Sequence, residues 1–401
     1  MKQVKQRIIA IDFFRGLCLL VVLISHSFYF SKPFGYLSGH NRLWVSAAEL
    51  FFLLSGITFS IIRERILLIN FKQALNKSLK RSGLIYLISI SLVTYAIFLG
   101  YLLKSHGLYY YGTESLPAQS GLKLFIDIIT LRTAAGWADF LMYYCVFSAL
   151  SPFLYRLLRT KSWPAIIAAS CALFLLQHSF GAYAGFAIWQ LYFVLGLTIG
   201  IYRRQLAAGL NRLPINVKQA SYRIVTAGAL LALLTSVLTA YHQLLRYTQD
   251  LVSAGWLPEK LQATYIHLIN HQPALDGWLN RSRTGALRPL TALLILGAAY
   301  AVYTRHEEAI LKYGGRLITA LGRDSLWVYV SQALIVPLIA GLPLAFGGLF
   351  IDSLFTAAFF YTIWMVTQRR RMLAWGSLYW EDIKNSYHQE KYAFIQRYEE
   401  D

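Results

Sequence analysis

The chain is poor in charge. Asp, Glu, Lys and Arg make up 14% of its 401 residues, where a soluble protein carries roughly 25%. With 57% hydrophobic residues, the composition excludes an ordinary soluble domain and reads as a polytopic membrane protein. Acid is scarcer than base, 19 against 38, giving a formal charge of +19. A charge of that size suits nucleic acid, but the basic residues flank apolar runs, the pattern of the positive-inside rule. Nucleic acid is therefore excluded as a partner. Cysteine is nearly absent. Cys18, Cys145 and Cys171 each sit in an apolar stretch without pair spacing, which excludes a disulfide framework and a cysteine metal site. They read as small core residues. His267 and His271 are four residues apart with no third ligand near, so no metal is expected. Period-two alternation is missing as well, which excludes a closed barrel and leaves helices. No internal repeat is evident.

Ten runs are long and apolar enough to span a bilayer, near 8–30, 44–62, 83–103, 136–155, 164–180, 184–202, 224–241, 288–304, 321–340 and 344–367. The run at 164–180 is the weakest. The expected fold is all-α: about ten transmembrane helices, as one membrane domain over 1–367 with a tail at 368–401. The opening "MKQVKQR" precedes a run that is too long for a secretory h-region and lacks an A-x-A site, so it reads as a retained signal anchor. Placing the N-terminus in the cytoplasm puts 27 Lys and Arg on the inner segments and 10 on the outer ones. That bias supports an even number of spans with both termini cytoplasmic. The outer segment 242–288, with Trp256, Pro258, Pro273 and Trp278, is too polar to span and reads as a small cap or short surface helices. Its aromatic residues suit sugar stacking and equally suit a membrane interface. The aromatic, charged tail reads either as an interfacial segment or as a solvent tail.

The first run, "IDFFRGLCLLVVLISH", carries Asp12, Arg15 and His26. Arg15 lies about 60° back around the helix from Asp12, and His26 returns to within about 20° of Arg15 and about 16 Å above it. The three share one stripe. Intramembrane ionisable groups face a protein interior or a water cavity and mark pathways or sites. A structural Asp12–Arg15 ion pair near the inner interface is the competing reading. His26, in the outer half, suits a general base. Glu49 stands near the outer end of the second run, at nearly the depth of His26, and an antiparallel hairpin would let it orient the imidazole. A glutamate snorkelling to water is the alternative. Gly56 and Ser60 fall on the face of Glu49, and Gly56 permits close helix approach. The inner segment "RERILLINFKQALNKSLKRSG" is basic and amphipathic. It suits phosphate or anionic lipid. Trp189, Gln190, Ser325 and Gln332 are further polar or interfacial positions that line a cavity or bond across helices.

Five stretches, in order, resemble the OpgC family of membrane acyltransferases, within the acyltransferase-three superfamily. "IDFFRGLCLLVVLISH" resembles its D-x-x-R-G helix with a later His. "AAELFFLLSGITFS" resembles its E-[IL]-F-[VF]-x-L-S-G segment. "ADFLMYYCVFSALSPFLYRLL" resembles its L-x-x-Y helix that ends in Pro. "IWQLYFVLGLTIG" resembles its W-Q-x-x-F-x-x-G helix, and "LGRDSLWVYVSQAL" its L-G-x-x-S-L helix. The resemblance implies a ten-helix enzyme of the bacterial cytoplasmic (inner) membrane. It would move a succinyl- or acetyl-type group from cytoplasmic acyl-CoA to an extracytoplasmic glycan. Acyl-CoA is then a co-substrate, with no bound cofactor, and lipids are the other partner. A homodimer is left open. Carried over by position, Asp12 and Arg15 fall on the first motif, His26 on the catalytic histidine, Glu49 on the second-helix acid and Arg81 on the basic position opening the third helix. Arg15, Lys80 and Arg81 would meet the donor's phosphates. The chain departs from the pattern at Gln332, where related sequences often carry His. An amide cannot exchange a proton at neutral pH but can hydrogen bond. Composition alone also fits a transporter or flippase.

Overall fold

The computed structural model describes residues 9–26, 43–106, 121–133, 139–240, 285–340 and 361. Among them the regular structure is helical, with no strand. In order the helices are α1 (Ile9–His26), α2 (Ala47–Ile69), α3 (Phe71–Ser105), the short α4 (Leu122–Ile129), α5 (Asp139–Leu158), α6 (Trp163–Leu175), α7 (Ala184–Arg212), α8 (Ile215–Ala240), α9 (Arg288–Ile310), α10 (Arg316–Arg323) and α11 (Ser325–Ala340). Among the described residues, five stretches are long and apolar enough to cross a membrane: Ile9–His26, Phe71–Ser105, Asp139–Leu158, Gln177–Arg212 and Ile215–Val237. The expected run 344–367, the tail and nearly all of the outer segment, with His267 and His271, lie outside the described residues.

The helix ends follow from local chemistry. At the start of α2 the Glu49 side chain reaches back to accept the Ser46 backbone N–H at 2.7 Å, which satisfies one of the donors a helix start leaves open. Asn70 is extended and serves two helices. Its N–H closes α2 on Ile66 at 2.8 Å, and its side chain accepts from the Gln73 N–H at 2.9 Å to open α3. The segment 63–82, read from sequence as an inner loop, is therefore helix on both sides of one residue. The run at 164–180 also differs. Pro164 sits in the first turn of α6, which ends after 13 residues. A 3₁₀ turn with Gly181 at φ +51° then leads into α7. Within α5, Pro152 removes the N–H that would reach Ser148, and the Ser151 hydroxyl donates to that carbonyl instead at 2.7 Å.

α2 and α5 divide the interior between two cores. Phe51 and Leu54 of α2 and Leu141, Met142 and Cys145 of α5 face a core shared with α1, α3, α10 and α11. Phe52 and Leu53 of α2 and Phe147 of α5 face a second core, with Trp189, Tyr192 and Phe193 of α7. Lipid offers no hydrophobic drive for helices to pair, so close packing of small residues carries the association. Two glycine contacts do this. Gly16 of α1 lies against the backbone of Ile318 and Gly322 of α10, and Gly322 in turn lies against the Asp12 carbonyl. Gly56 of α2 meets the backbone of α7 at Phe193, Gly196 and Leu197, and Gly196 meets Leu53.

Replacing either glycine pair is expected to separate its helices. Gly322→Leu and Gly196→Leu should each cost about 3 kcal/mol or more, the upper range of overpacking, read as a lowered midpoint of thermal unfolding in detergent. Gly209→Leu, where an added Cβ meets nothing within 4 Å, should leave the midpoint unchanged.

Candidate active site

The stripe on α1 meets α11 twice. Arg15 is buried and donates through Nη2 to the Ser325 hydroxyl at 2.6 Å. Its guanidinium also lies 5.1 Å from the centroid of the Phe51 ring, a cation–π contact. Further along, the Gln332 amide Nε2 is hydrogen bonded to His26 Nδ1. Gln332 has no exposed surface. Ser325 and Gln332 are seven residues apart, about two helical turns, so they lie on one face of α11. Asp12 is buried on α1, where α10 packs at Gly322. His26 is the last described residue of α1.

A cavity of about 200 Å³ opens beside His26. Val22 and Ser25 of α1, Phe51 of α2, Asp139, Phe140 and Tyr143 of α5, Trp189 of α7 and Tyr329 of α11 form its wall. Aromatic rings thus surround one imidazole and one carboxylate. Asp139 stands in the first turn of α5, where its Oδ1 accepts the Phe140 N–H at 2.8 Å.

Glu49 is 2% exposed and lies at the same end of the bundle. The sequence reading had it orient His26. In the structure its carboxylate is held elsewhere. Arg288 Nε donates to Oε1 at 2.7 Å, the Tyr192 hydroxyl donates to Oε1 at 3.2 Å, and the Ser46 N–H donates to Oε2. Arg288 also donates to the Leu43 carbonyl at 3.1 Å. The reason is angular. Glu49 and Phe51 are two residues apart, so they stand about 200° apart around the helix. Phe51 faces α1, and Glu49 faces α7 and α9. His26 Nδ1 meets the Gln332 amide instead.

The remaining expected positions separate clearly. Trp189 is part of the cavity wall. Ser60 and Gln190 are not; they join helices. Ser60 is fully buried against Gly200 of α7 and donates to the Ile57 carbonyl at 2.8 Å. Gln190 accepts from the Ser170 hydroxyl at 2.5 Å and donates to the Ser170 carbonyl at 2.7 Å, tying α7 to α6. Arg81 donates to the Tyr144 hydroxyl at 3.1 Å and lies 5.6 Å from that ring's centroid. It is exposed on α3, ten residues into the helix. Lys80 is exposed one position away, about 100° around, and the structure does not bring it to Arg15. Sequence reasoning missed Arg288, Asp139, Tyr143 and Tyr144. The first two carried a signal, each being a charged residue at the first position of an apolar helix.

The family model described as OpgC protein matches residues 7–374, nearly the whole chain. Neither the curated proteins nor the solved structures contain a match.

The Glu49–Arg288 pair is testable by itself. Arg288→Met leaves a buried carboxylate without this partner and should cost about 3–5 kcal/mol. The double variant Glu49→Gln/Arg288→Met should recover at least half of that loss. Thermal unfolding of the purified protein in detergent reads both, and additive losses would show that the two groups are not coupled.

Proposed function

The chain belongs to the OpgC protein family, and from that premise we propose that it is a membrane O-acyltransferase of the bacterial inner membrane, moving a succinyl- or acetyl-type group from cytoplasmic acyl-CoA to a hydroxyl of an extracytoplasmic glycan. The observation that carries the reading is the α1 stripe. It sets a buried guanidinium and an imidazole at two depths, each held by a polar side chain of α11, with the imidazole on an aromatic cavity wall. A transport pathway needs neither a fixed imidazole nor an orienter for it. This reading takes the domain as ten spans with both termini in the cytoplasm, so that the His26 end faces outward.

The chemistry follows from these positions. The acceptor sugar enters the cavity from the outside, its ring against Trp189 or Tyr143. His26 removes the hydroxyl proton as the oxygen attacks the thioester carbonyl. The new C–O bond forms, the C–S bond breaks, and the imidazolium returns its proton to the departing thiolate. An acyl group carried briefly on His26 gives the same balance in two steps. The donor approaches from the opposite face. Arg15 and Arg81 offer charge-assisted hydrogen bonds to its anionic groups, and Lys80 helps from the surface of α3. Aromatic and aliphatic walls keep water from the thioester. Glu49 acts at a distance, by fixing α2 to α7 and α9 and so shaping the cavity.

The decisive assay incubates purified protein with labelled acyl-CoAs and candidate glycans and detects products by mass spectrometry. His26→Ala should lower transfer by at least about 10²-fold, the scale of general-base catalysis, while the protein stays folded. Full activity in that variant would sink the mechanism. Movement of a glycan across vesicles with no acyl-CoA present would favour the transporter instead. On the donor side, Arg81→Gln should raise the acyl-CoA KM about tenfold or more, the value of one hydrogen bond to a charged group. Lys80→Gln should change it less.

A further inference from the structure

We infer that Gln332 is a positioning residue that sets the tautomer of His26. During turnover it presents its amide oxygen to Nδ1–H, and because it is neutral it adds no charge that would favour the imidazolium. The inference rests on the reading of His26 as the base.

Three observations carry it. Gln332 touches His26 at Nδ1. It is wholly buried. Among the described residues, its Oε1 has no hydrogen-bond partner. A side-chain amide has two orientations of the same shape, with N and O exchanged, and they differ in what they ask of the imidazole. With Nε2 toward Nδ1, the amide donates. The imidazole must then accept at Nδ1 and carry its proton on Nε2, so Nε2 has no lone pair with which to take another. With Oε1 toward Nδ1, the amide accepts from Nδ1–H, and Nε2 keeps its lone pair for the acceptor hydroxyl. Once that proton has transferred, both ring nitrogens are donors. Only the oxygen-facing orientation then remains attractive. The buried Oε1 without a partner is the acceptor this state requires.

The missing charge matters as much. A carboxylate beside an imidazole favours the imidazolium and raises its pKa, which draws a base held that way toward its protonated form. An amide orients without this penalty. Among the described residues, Asp139 and Tyr143 of α5 and Tyr329 of α11 line the same cavity as His26. Glu49 of α2 is turned away onto Arg288 of α9. From α3, which also packs on α11, Tyr95 donates to the Leu334 carbonyl at 2.9 Å.

Two variants decide the matter, read as kcat, acyl-CoA KM and pH profile in the acyl-transfer assay. Gln332→Met keeps the volume and removes both polar atoms. It should lower kcat at least about 30-fold with the acyl-CoA KM within about twofold, because it disturbs the base and not the donor site. Gln332→Glu can still accept from Nδ1–H. It should be impaired at pH 7 and regain activity at higher pH, with the acidic limb of kcat/KM moved up by about one pH unit or more. A merely structural role predicts no such pH-dependent rescue. Wild-type kcat in Gln332→Met, or an unmoved acidic limb in Gln332→Glu, would overturn the inference. If the buried carboxylate prevents folding, the Met variant decides alone. Absence of acyl transfer by the wild-type protein is a different result, and it would remove the underlying reading as well.

Discussion

The site depends on one backbone contact, the meeting of α1 and α10 at Gly16 and Gly322. No side chain separates the helices there, so their axes approach as closely as two helices can. α11 begins two residues after α10 ends, across Asp324. The glycine contact therefore fixes the register of α11 along α1. Ser325 arrives at Arg15, and two turns later Gln332 arrives at His26. A slip of one turn, about 5.4 Å, would break both hydrogen bonds together. The packing of small residues thus determines which polar partners the costly buried groups receive.

The second constraint is electrostatic. Burying a carboxylate and a guanidinium takes both out of water, and attraction within the pair repays that only when further hydrogen bonds complete the set. Glu49 has such a set in Arg288, Tyr192 and the Ser46 N–H, and Arg288 adds the Leu43 carbonyl. The pair ties three helices, α2, α7 and α9, to the segment that leads into α2. Its energy is better understood as specificity than as stability. A well-packed apolar pair could replace it at little cost, but would not fix the angular position of α2, on which Phe51 and the cavity wall depend.

Much of this was legible in the sequence, for identifiable reasons. Hydropathy marks helices wherever the chain must satisfy its backbone in lipid, so α1, α3, α5, α7 and α8 correspond to apolar runs. The junction at Asn70 was not legible, because one extended residue between the apolar turn Ile66–Ile69 and the mixed turn Phe71–Ala74 leaves no distinct hydropathy signal. The stripe of Asp12, Arg15 and His26 could be read because it depends only on spacing within one helix. Its partners could not. Ser325 and Gln332 lie about 300 residues further along, and only the glycine contact between α1 and α10 sets which side chain meets which. Glu49 illustrates the limit most directly. Its depth was apparent from its position near the start of α2, but the facing direction depends on how α2 is rotated, and one sequence does not encode that in any local pattern.

The two constraints together bear on the proposed role of His26 as a base. In a medium of low dielectric, any uncompensated charge near His26 would dominate its protonation. The nearest acid on α2 has its charge cancelled by Arg288, and the nearest polar group on α11 carries no charge. Arg15 stands about 16 Å away along α1, against Phe51 and Ser325. Asp139 lines the same cavity and is the carboxylate among its described residues. The fold therefore orients the ring through the uncharged Gln332 amide and ties the Glu49 carboxylate to Arg288. A half-buried base that must be neutral before it acts, and charged only during the reaction, is served by that separation of orienting contact from compensating charge.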